Sequence, residues 1–387
     1  MSHAPSAALS RRHASLRDAL ARSGLDALVV TALPNVLYLT NFTGSSGIVV
    51  IDRERLQFIT DFRYVSALAA SRGAAHECPG LDVVVVDGSY DATLASTIAP
   101  LEGRRVGFEA AHLTVARHQW LTATIGSAAA ANRSGGRSAA ELVPTDGVVE
   151  RLRVRKDDYE IATVREAARR LSGVARAVVA GVRRGRTERD TATDIERLLR
   201  DAGFDKPAFD TIVASGPNAA LPHARPTERT ITEGDLVVLD FGGVYDSYCV
   251  DLTRTVAVGT AAPRVRTVYD AVRRAHDNAI AAVAPGRSRF DIDAAARDTL
   301  AAAGLGEAFG HGTGHGLGIE VHEEPRVSRR RPDVDASGES VAAGMIFTIE
   351  PGAYLPGWGG VRIEDDVLVT ETGVEVLTDV ATELVEI

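Results

Sequence analysis

Leu239-Asp240-Phe241-Gly242-Gly243-Val244-Tyr245-Asp246-Ser247-Tyr248-Cys249-Val250-Asp251-Leu252-Thr253-Arg254-Thr255 sets two acids at defined places in otherwise strand-like sequence. The runs Leu236–Phe241 and Cys249–Val258 have the β-branched, apolar character of strands. Asp240 closes an apolar run that should be buried, where an unpaired carboxylate is costly, so a cationic partner is called for. If the glycine-containing stretch between the runs turns the chain into a hairpin, Asp240 and Asp251 meet from adjacent strands. Two acids converging on an apolar sheet face suggest a metal ion. An acid-rich turn at a sheet end fits this stretch equally well when it is taken alone.

Working outward, Gly310-His311-Gly312-Thr313-Gly314-His315-Gly316-Leu317-Gly318-Ile319-Glu320-Val321-His322-Glu323 combines glycines with imidazoles. The glycines let backbone approach a bound group closely, and the histidines supply metal ligands or proton-transfer groups. The alternating glycines do not form a G-x-G-x-x-G phosphate loop, and for any single histidine here a structural role is as open as a functional one. In Thr348-Ile349-Glu350-Pro351-Gly352 and Gly359-Gly360-Val361-Arg362-Ile363-Glu364-Asp365-Asp366, Glu350 and Glu364 interrupt apolar strand patterns. A solvated strand face is the competing reading, and it suits Asp365 and Asp366. Asp240, Asp251, a histidine of the glycine-rich run, Glu350 and Glu364 together give four carboxylates and one imidazole. That oxygen-rich set suits a pair of divalent ions, Mn²⁺ foremost, with Co²⁺, Zn²⁺ or Fe²⁺ as further occupants, and does not resemble a thiolate zinc site. Two ions about 3.5–4 Å apart can activate one water against a carbonyl.

The chain of 387 residues, 45% hydrophobic and 25% charged, is long enough for two domains with cores that need no staples. Its net charge of −9 argues against a phosphate-binding surface and hence against nucleic acid as a partner. Cys78 and Cys249 are the only cysteines, which fits a reducing compartment and a cytoplasmic location. No apolar run approaches the roughly 18 residues of a spanning helix, so no membrane anchorage is expected.

Short strands at Ala27–Thr31, Gly47–Ile51, Gln57–Thr60, Asp82–Val86 and Arg105–Phe108 alternate with helical patterns, giving an α/β domain over residues 1–148. Ala123–Ala140, small and polar with glycines, is expected to hold a mobile loop near the end of that domain. Residues 149–387 form the second domain, opening on a long helix, Asp157–Arg184, that Gly185 stops as a C-cap glycine. A Thr187-capped helix to about Ala202 and helices at Arg264–Ala284 and Arg289–Ala303 follow, among strands at Thr211–Ala214, Met345–Ile349 and Val361–Thr370 besides the hairpin. The class is α+β.

On these motifs the sequence resembles the pita-bread metallopeptidases, and within them the Xaa-Pro group of prolidase (Xaa-Pro dipeptidase) and aminopeptidase P. The motifs span Leu221 to Asp366, and an N-terminal creatinase-like α/β domain is implied ahead of the pita-bread domain. Carried over by position, the resemblance implies that Asp240 binds one metal, that Asp251 and Glu364 bridge two, and that His315 and Glu350 complete the second. It implies that His223 and His322 flank the substrate and stabilise or protonate the tetrahedral intermediate, with Glu350 also shuttling a proton. Tyr248 and Thr253 match positions beside the aspartates, and Arg362 matches the basic residue before the bridging glutamate. Arg326, in His322-Glu-Glu-Pro-Arg326, resembles the arginine with which prolidases grip a dipeptide's free carboxylate.

The implied activity is metal-dependent hydrolysis before proline in dipeptides or short peptides, dipeptides favoured, by a homodimer whose N-terminal domain closes over the site. Aminopeptidase P activity on longer peptides, or a non-catalytic peptide-binding relative, are the alternatives. Methionine aminopeptidase would leave the first 150 residues or so without a role, and creatinase lacks the full ligand set. Val250 and Gly310 depart from the family pattern and bear on fine specificity. No G-x-S-x-G elbow or H-E-x-x-H motif is present.

Overall fold

The structure, a computed structural model, describes residues 3–131, 138–330 and 339–387. The chain divides into two compact units, Met1–Arg153 and Val154–Ile387. The first is a six-stranded sheet built from β1 (Ala27–Val30), β2 (Ile48–Asp52), β3 (Leu56–Thr60), β4 (Leu81–Val85), β5 (Arg105–Glu109) and β6 (Glu141–Thr145). Its order is β4-β3-β2-β1-β5-β6; β1, β2 and β3 pair antiparallel and the remaining pairs are parallel. Val29, Ile59 and Val106 from the sheet pack with Leu94, Ile98 and Leu121 from helices into one core.

Two features of this unit escape the sequence reading. The stretch 123–140 expected to hold a loop is helix as far as Ala131, because Val115–Ala131 is rich in alanine, the best helix former; residues 132–137 of that stretch lie outside the described residues. The unforeseen β6 carries Pro144, tolerated because the strand is at the sheet edge and half-exposed.

In the second unit a helix spans Asp158–Gly181, opened by a capping box in which Asp157 and Glu160 satisfy each other's backbone N–H groups. It stops before Gly185: the buried Val182 turns extended while its N–H still reaches Val178, and Gly185 (φ 89°) serves the following turn instead. Thr187 caps the Glu188–Asp201 helix with a second capping box. Helices Pro263–Ala281 and Arg289–Ala302 follow.

The strands here are β7 (Lys206–Pro207), β8 (Ile212–Ser215), β9 (Leu236–Tyr245), β10 (Tyr248–Ala257), β11 (Gly314–Gly316), β12 (Glu323–Val327) and β13 (Ile346–Ile349). They continue with β14 (Gly352–Leu355), β15 (Gly359–Arg362), β16 (Asp365–Val369), β17 (Val374–Val376) and β18 (Val385–Glu386). One sheet runs β18-β10-β9-β7 with β8 also on β9; a second runs β12-β11-β13-β16-β17; β14 and β15 pair separately.

The β9–β10 hairpin positions the site. Its turn is Asp246-Ser247, both at positive φ (48° and 73°), the two-residue geometry that matches strand twist. The expected glycine turn is therefore wrong: Gly242 and Gly243 lie inside β9, where an added Cβ would come within 2.3 Å of the Val250 carbonyl oxygen and 2.4 Å of the Phe204 ring, respectively. Side chains alternate across the pleat. Leu239, Phe241, Val250 and Leu252 join the core under the Asp158–Gly181 helix, which leaves Asp240, Asp251 and Thr253 together on the other face. The run expected as one strand, Val361–Thr370, breaks at Ile363-Glu364. There Glu364 donates its backbone N–H to the Thr253 carbonyl (3.1 Å), which turns it toward the hairpin.

Candidate metal centre

Asp251, His315 and Glu364, all buried, offer ligand atoms within 4.8 Å of one another. They arrive from β10, β11 and the break before β16. Asp240 stands diagonally from Asp251, which is in register with Gly242, so both carboxylates share a face. Glu350 follows β13, with Oε1 3.4 Å from His315 Nε2 and accepting the Thr348 hydroxyl at 3.3 Å. The structure thus brings together the four acids and the imidazole singled out in the sequence.

The donor set fits hard divalent cations. Burial and then the neighbouring Asp240 charge push Asp251 well above the usual carboxylate range; burial and then Asp251 do the same to Glu364. Burial pushes Glu350 up to about 7. His315 is pushed down to about 3 by burial and the adjacent His322, so its ring is neutral. Its Nδ1–H donates to the Gly316 carbonyl at 3.1 Å, which leaves a bare lone pair on Nε2 facing Glu350. Asp240 Oδ1 and Asp251 Oδ1 are buried with no hydrogen-bond partner. Unpartnered carboxylate oxygens beside a fixed imidazole lone pair are what a cation site requires.

A scaffold of hydrogen bonds aims these groups. The Thr253 hydroxyl donates to Glu364 Oε2 at 2.6 Å and accepts from Arg362 Nε at 3.1 Å. Arg362 Nη2 pairs with Asp240 Oδ2, while Nη1 donates to the Tyr354 hydroxyl at 2.7 Å. Tyr354 in turn donates to His311 Nε2 at 2.9 Å, because the His311 Nδ1–H is committed to the Gly312 carbonyl at 2.7 Å. Thr348 accepts the His315 N–H at 3.1 Å. Thr253 and Arg362 lie beside the carboxylates, whereas sequence reasoning misses Tyr354 and Thr348. The only signal for Tyr354 is its place in a short strand directly after Glu350.

Several expectations are corrected. Tyr248 is not beside the aspartates: it stands an odd number of positions from Asp251, so it projects to the opposite face, packs under the long helix and donates to Glu160 at 3.2 Å. Asp365 and Asp366 are not solvated. Asp365 pairs with Arg254 at 2.8 Å and with His276 at 3.1 Å, and Asp366 accepts the Asp251 N–H at 3.0 Å. The two glycines flanking His315 admit neighbouring backbone: a Cβ on Gly314 would lie 1.8 Å from the Thr348 carbonyl oxygen, and on Gly316 2.1 Å from that of Glu324.

Around the centre, the ring of His322 lies 4.3 Å from that of His315, edge to face. Partial burial and then the Arg326 charge hold the His322 pKa below the usual imidazole value. Arg326 is in register with His315 across β11 and β12 and is exposed. His223 is exposed in the turn after Leu221, near enough for its charge to act on His311 and His322. Buried Lys156 pairs with Glu323 at 3.2 Å, next to His322 in the chain.

Comparison with known proteins agrees in both units. Residues 162–371 match metallopeptidase family M24, and residues 12–155 match the creatinase/prolidase N-terminal domain. The Xaa-Pro dipeptidase of Pyrococcus furiosus is 40% identical over 244 residues, 63% of this chain and 68% of that one. The solved Xaa-Pro dipeptidase from Bacillus anthracis is 36% identical, with a TM-score of 0.87 over 98% of this chain and 100% of that one. The X-Pro aminopeptidase from Thermotoga maritima is 30% identical, with a TM-score of 0.83 over 97% and 99%. With its donor cluster, its two matched domains and the expected pita-bread architecture, the chain belongs to metallopeptidase family M24, preceded by a creatinase/prolidase-type N-terminal domain.

Proposed function

We propose that the protein hydrolyses the peptide bond before proline in dipeptides and short peptides, dipeptides preferred, with two divalent cations, most favourably Mn²⁺. The observation that carries the reading is the convergence of Asp240, Asp251, His315, Glu350 and Glu364 with orphaned carboxylate oxygens and a bare imidazole lone pair. Asp251 and Glu364 would be shared between the ions, Asp240 would serve one, and His315 and Glu350 the other. When bound, the ions supply Lewis acidity toward the scissile carbonyl and lower the pKa of an attacking water.

The chain's own groups do the rest. Glu350 accepts a proton from the attacking water and passes it toward the leaving proline nitrogen. His322 and His223 donate N–H groups to the carbonyl oxygen as it becomes tetrahedral. Arg326, exposed beside His315, is free to grip a dipeptide's terminal carboxylate bidentately. The likeness to an X-Pro aminopeptidase keeps activity on longer peptides as the second reading.

The reading includes a homodimer and a cytoplasmic location, the latter suited to the two buried free cysteines. No described helix is long and apolar enough to cross a membrane.

The test is metal-depleted protein, with and without Mn²⁺, given Ala-Pro and Ala-Pro-Ala while free alanine and proline are quantified. Mn²⁺-dependent cleavage of Ala-Pro alone supports the dipeptidase. Cleavage of the tripeptide moves the protein to the aminopeptidases, and cleavage of neither defeats the reading.

A further inference from the structure

Arg254 follows Thr253 on β10 and is 3% exposed, yet it has no part in the chemistry above. A guanidinium carries five N–H donors in one rigid plane, and here all five are placed. Nη1 donates to the carbonyls of Thr253 (2.9 Å) and Glu364 (2.6 Å), the two residues whose backbones meet at the bridge beside the centre. Nη2 donates to Asp365 Oδ1 (2.8 Å) and to the Val380 carbonyl (2.6 Å), and Nε to the Ala381 carbonyl (3.0 Å).

The last two acceptors belong to the irregular segment that leads to the C-terminus. That segment is tied down on both sides. Thr378 donates its hydroxyl to Asp365 at 2.5 Å, Asp379 donates its N–H to Ser172 at 2.9 Å, and Tyr269 donates to the Thr382 carbonyl at 3.0 Å.

We propose that Arg254 is a positioning residue for Glu364, and that through it the C-terminal segment from Thr378 onward forms part of the scaffold of the metal centre. The proposal rests on the reading of Glu364 as a metal ligand. One planar fork holds Glu364's carbonyl and the carbonyls of residues 380 and 381, so a shift of the tail moves the guanidinium and with it the backbone from which the Glu364 carboxylate hangs. Stability alone does not explain the choice. A buried ion pair is commonly no better for folding than well-packed apolar residues, and a lysine would neutralise Asp365 as well. Only the fork reaches both backbones at once.

The test is calorimetric titration of metal-depleted protein with Mn²⁺, comparing wild type with Arg254→Lys. The variant keeps the charge against Asp365 and loses the fork. With unchanged far-ultraviolet circular dichroism, its Mn²⁺ Kd is expected to rise about 10–100-fold, the usual effect of losing a group that orients a ligand. A folded variant whose Kd stays within about twofold of wild type overturns the proposal.

Should Arg254→Lys fail to fold, hydrogen exchange on the wild type decides, because coupling between tail and centre is reciprocal. Mn²⁺ must then slow exchange at residues 379–382 several-fold more than at the Glu188–Asp201 helix, and equal slowing at both overturns the proposal. Wild type that binds no Mn²⁺ defeats the ligand reading itself, a result distinct from either of these.

Discussion

Replacing Thr253 by valine tests the scaffold of the centre at one atom. Valine keeps the branched shape of a side chain that is fully buried and removes only the hydroxyl. That hydroxyl donates to Glu364 Oε2 at 2.6 Å and accepts from Arg362 Nε at 3.1 Å. Two opposing effects follow for metal binding. Glu364 loses a donor that competes with a cation for its lone pair, and it loses the contact that fixes its orientation.

With several carboxylates crowded beside one another, an unanchored Glu364 swings away from its neighbours, so the loss of orientation outweighs the gain in basicity. A hydrogen bond to a charged group contributes about 1.5–3 kcal/mol, which corresponds to a Mn²⁺ Kd weakened roughly 10–100-fold. The Arg362 N–H left without an acceptor costs folding a further 1–3 kcal/mol or so, a fall in Tm of about 2–12 °C at 2–4 °C per kcal/mol. The assay is calorimetric Mn²⁺ titration of metal-depleted protein beside Thr253→Ser, which retains the hydroxyl and is expected within about threefold of wild type. An unchanged or tighter Kd in Thr253→Val, with Tm lowered, would refute the reasoning and leave the hydroxyl a role in folding only.

Gly314→Ala drives a Cβ to 1.8 Å from the Thr348 carbonyl oxygen, so β11 and β13 must part and carry His315 away from Glu350. Metal affinity and Tm should both fall by more than Thr253→Val achieves, and a variant with wild-type Kd would show that this close strand contact does not hold His315 in place. In the metal-free protein Glu350 holds a proton below about pH 7, whereas His315 stays neutral down to about 3, so only the acids release protons when a cation enters. Mn²⁺ affinity should therefore drop as pH falls from 8 to 6, by about tenfold per unit below 7 for the Glu350 proton and more steeply where Asp251 or Glu364 holds one too, with proton uptake by the buffer on binding; affinity that is flat over that range rejects the assignment. Arg326→Met should raise KM for Ala-Pro about 10–100-fold while changing that for an amidated Ala-Pro little, and equal effects on both substrates would remove the carboxylate grip. Tyr248→Phe, on the far face, should cost about 1 kcal/mol of stability and leave Mn²⁺ affinity untouched; a weakened Kd would show that the face assignment misses a coupling.

The legible parts of this protein are those where a local rule acts alone. Acids set in apolar runs mark Asp240, Asp251, Glu350 and Glu364, because burial of a carboxylate needs a reason wherever it occurs. The capped helix after Thr187 is readable from its own four residues. What escapes depends on contacts between distant segments. Asp365 and Asp366 look like surface acids until Arg254, His276 and the Asp251 N–H are brought to them. The glycines around His315 suggest a ligand cradle, but only the strand partners reveal that backbone fills the space. Tyr248 is misplaced by the family resemblance although the information lies in its own strand, since counting residues from Asp251 assigns it to the opposite face.

The same parity limits how the hairpin can change over time. Its turn has the minimum of two residues, and both strands are buried on both sides. Adding or deleting a single residue between Tyr248 and Asp251 reverses the phase of one arm, sending the carboxylate into the oily layer beneath the long helix and an apolar side chain toward the cation. Length variants that survive in this stretch should therefore differ in steps of two, or carry a bulge that restores the phase, so the hairpin works as an even-numbered counter that filters insertions before any chemistry is tested.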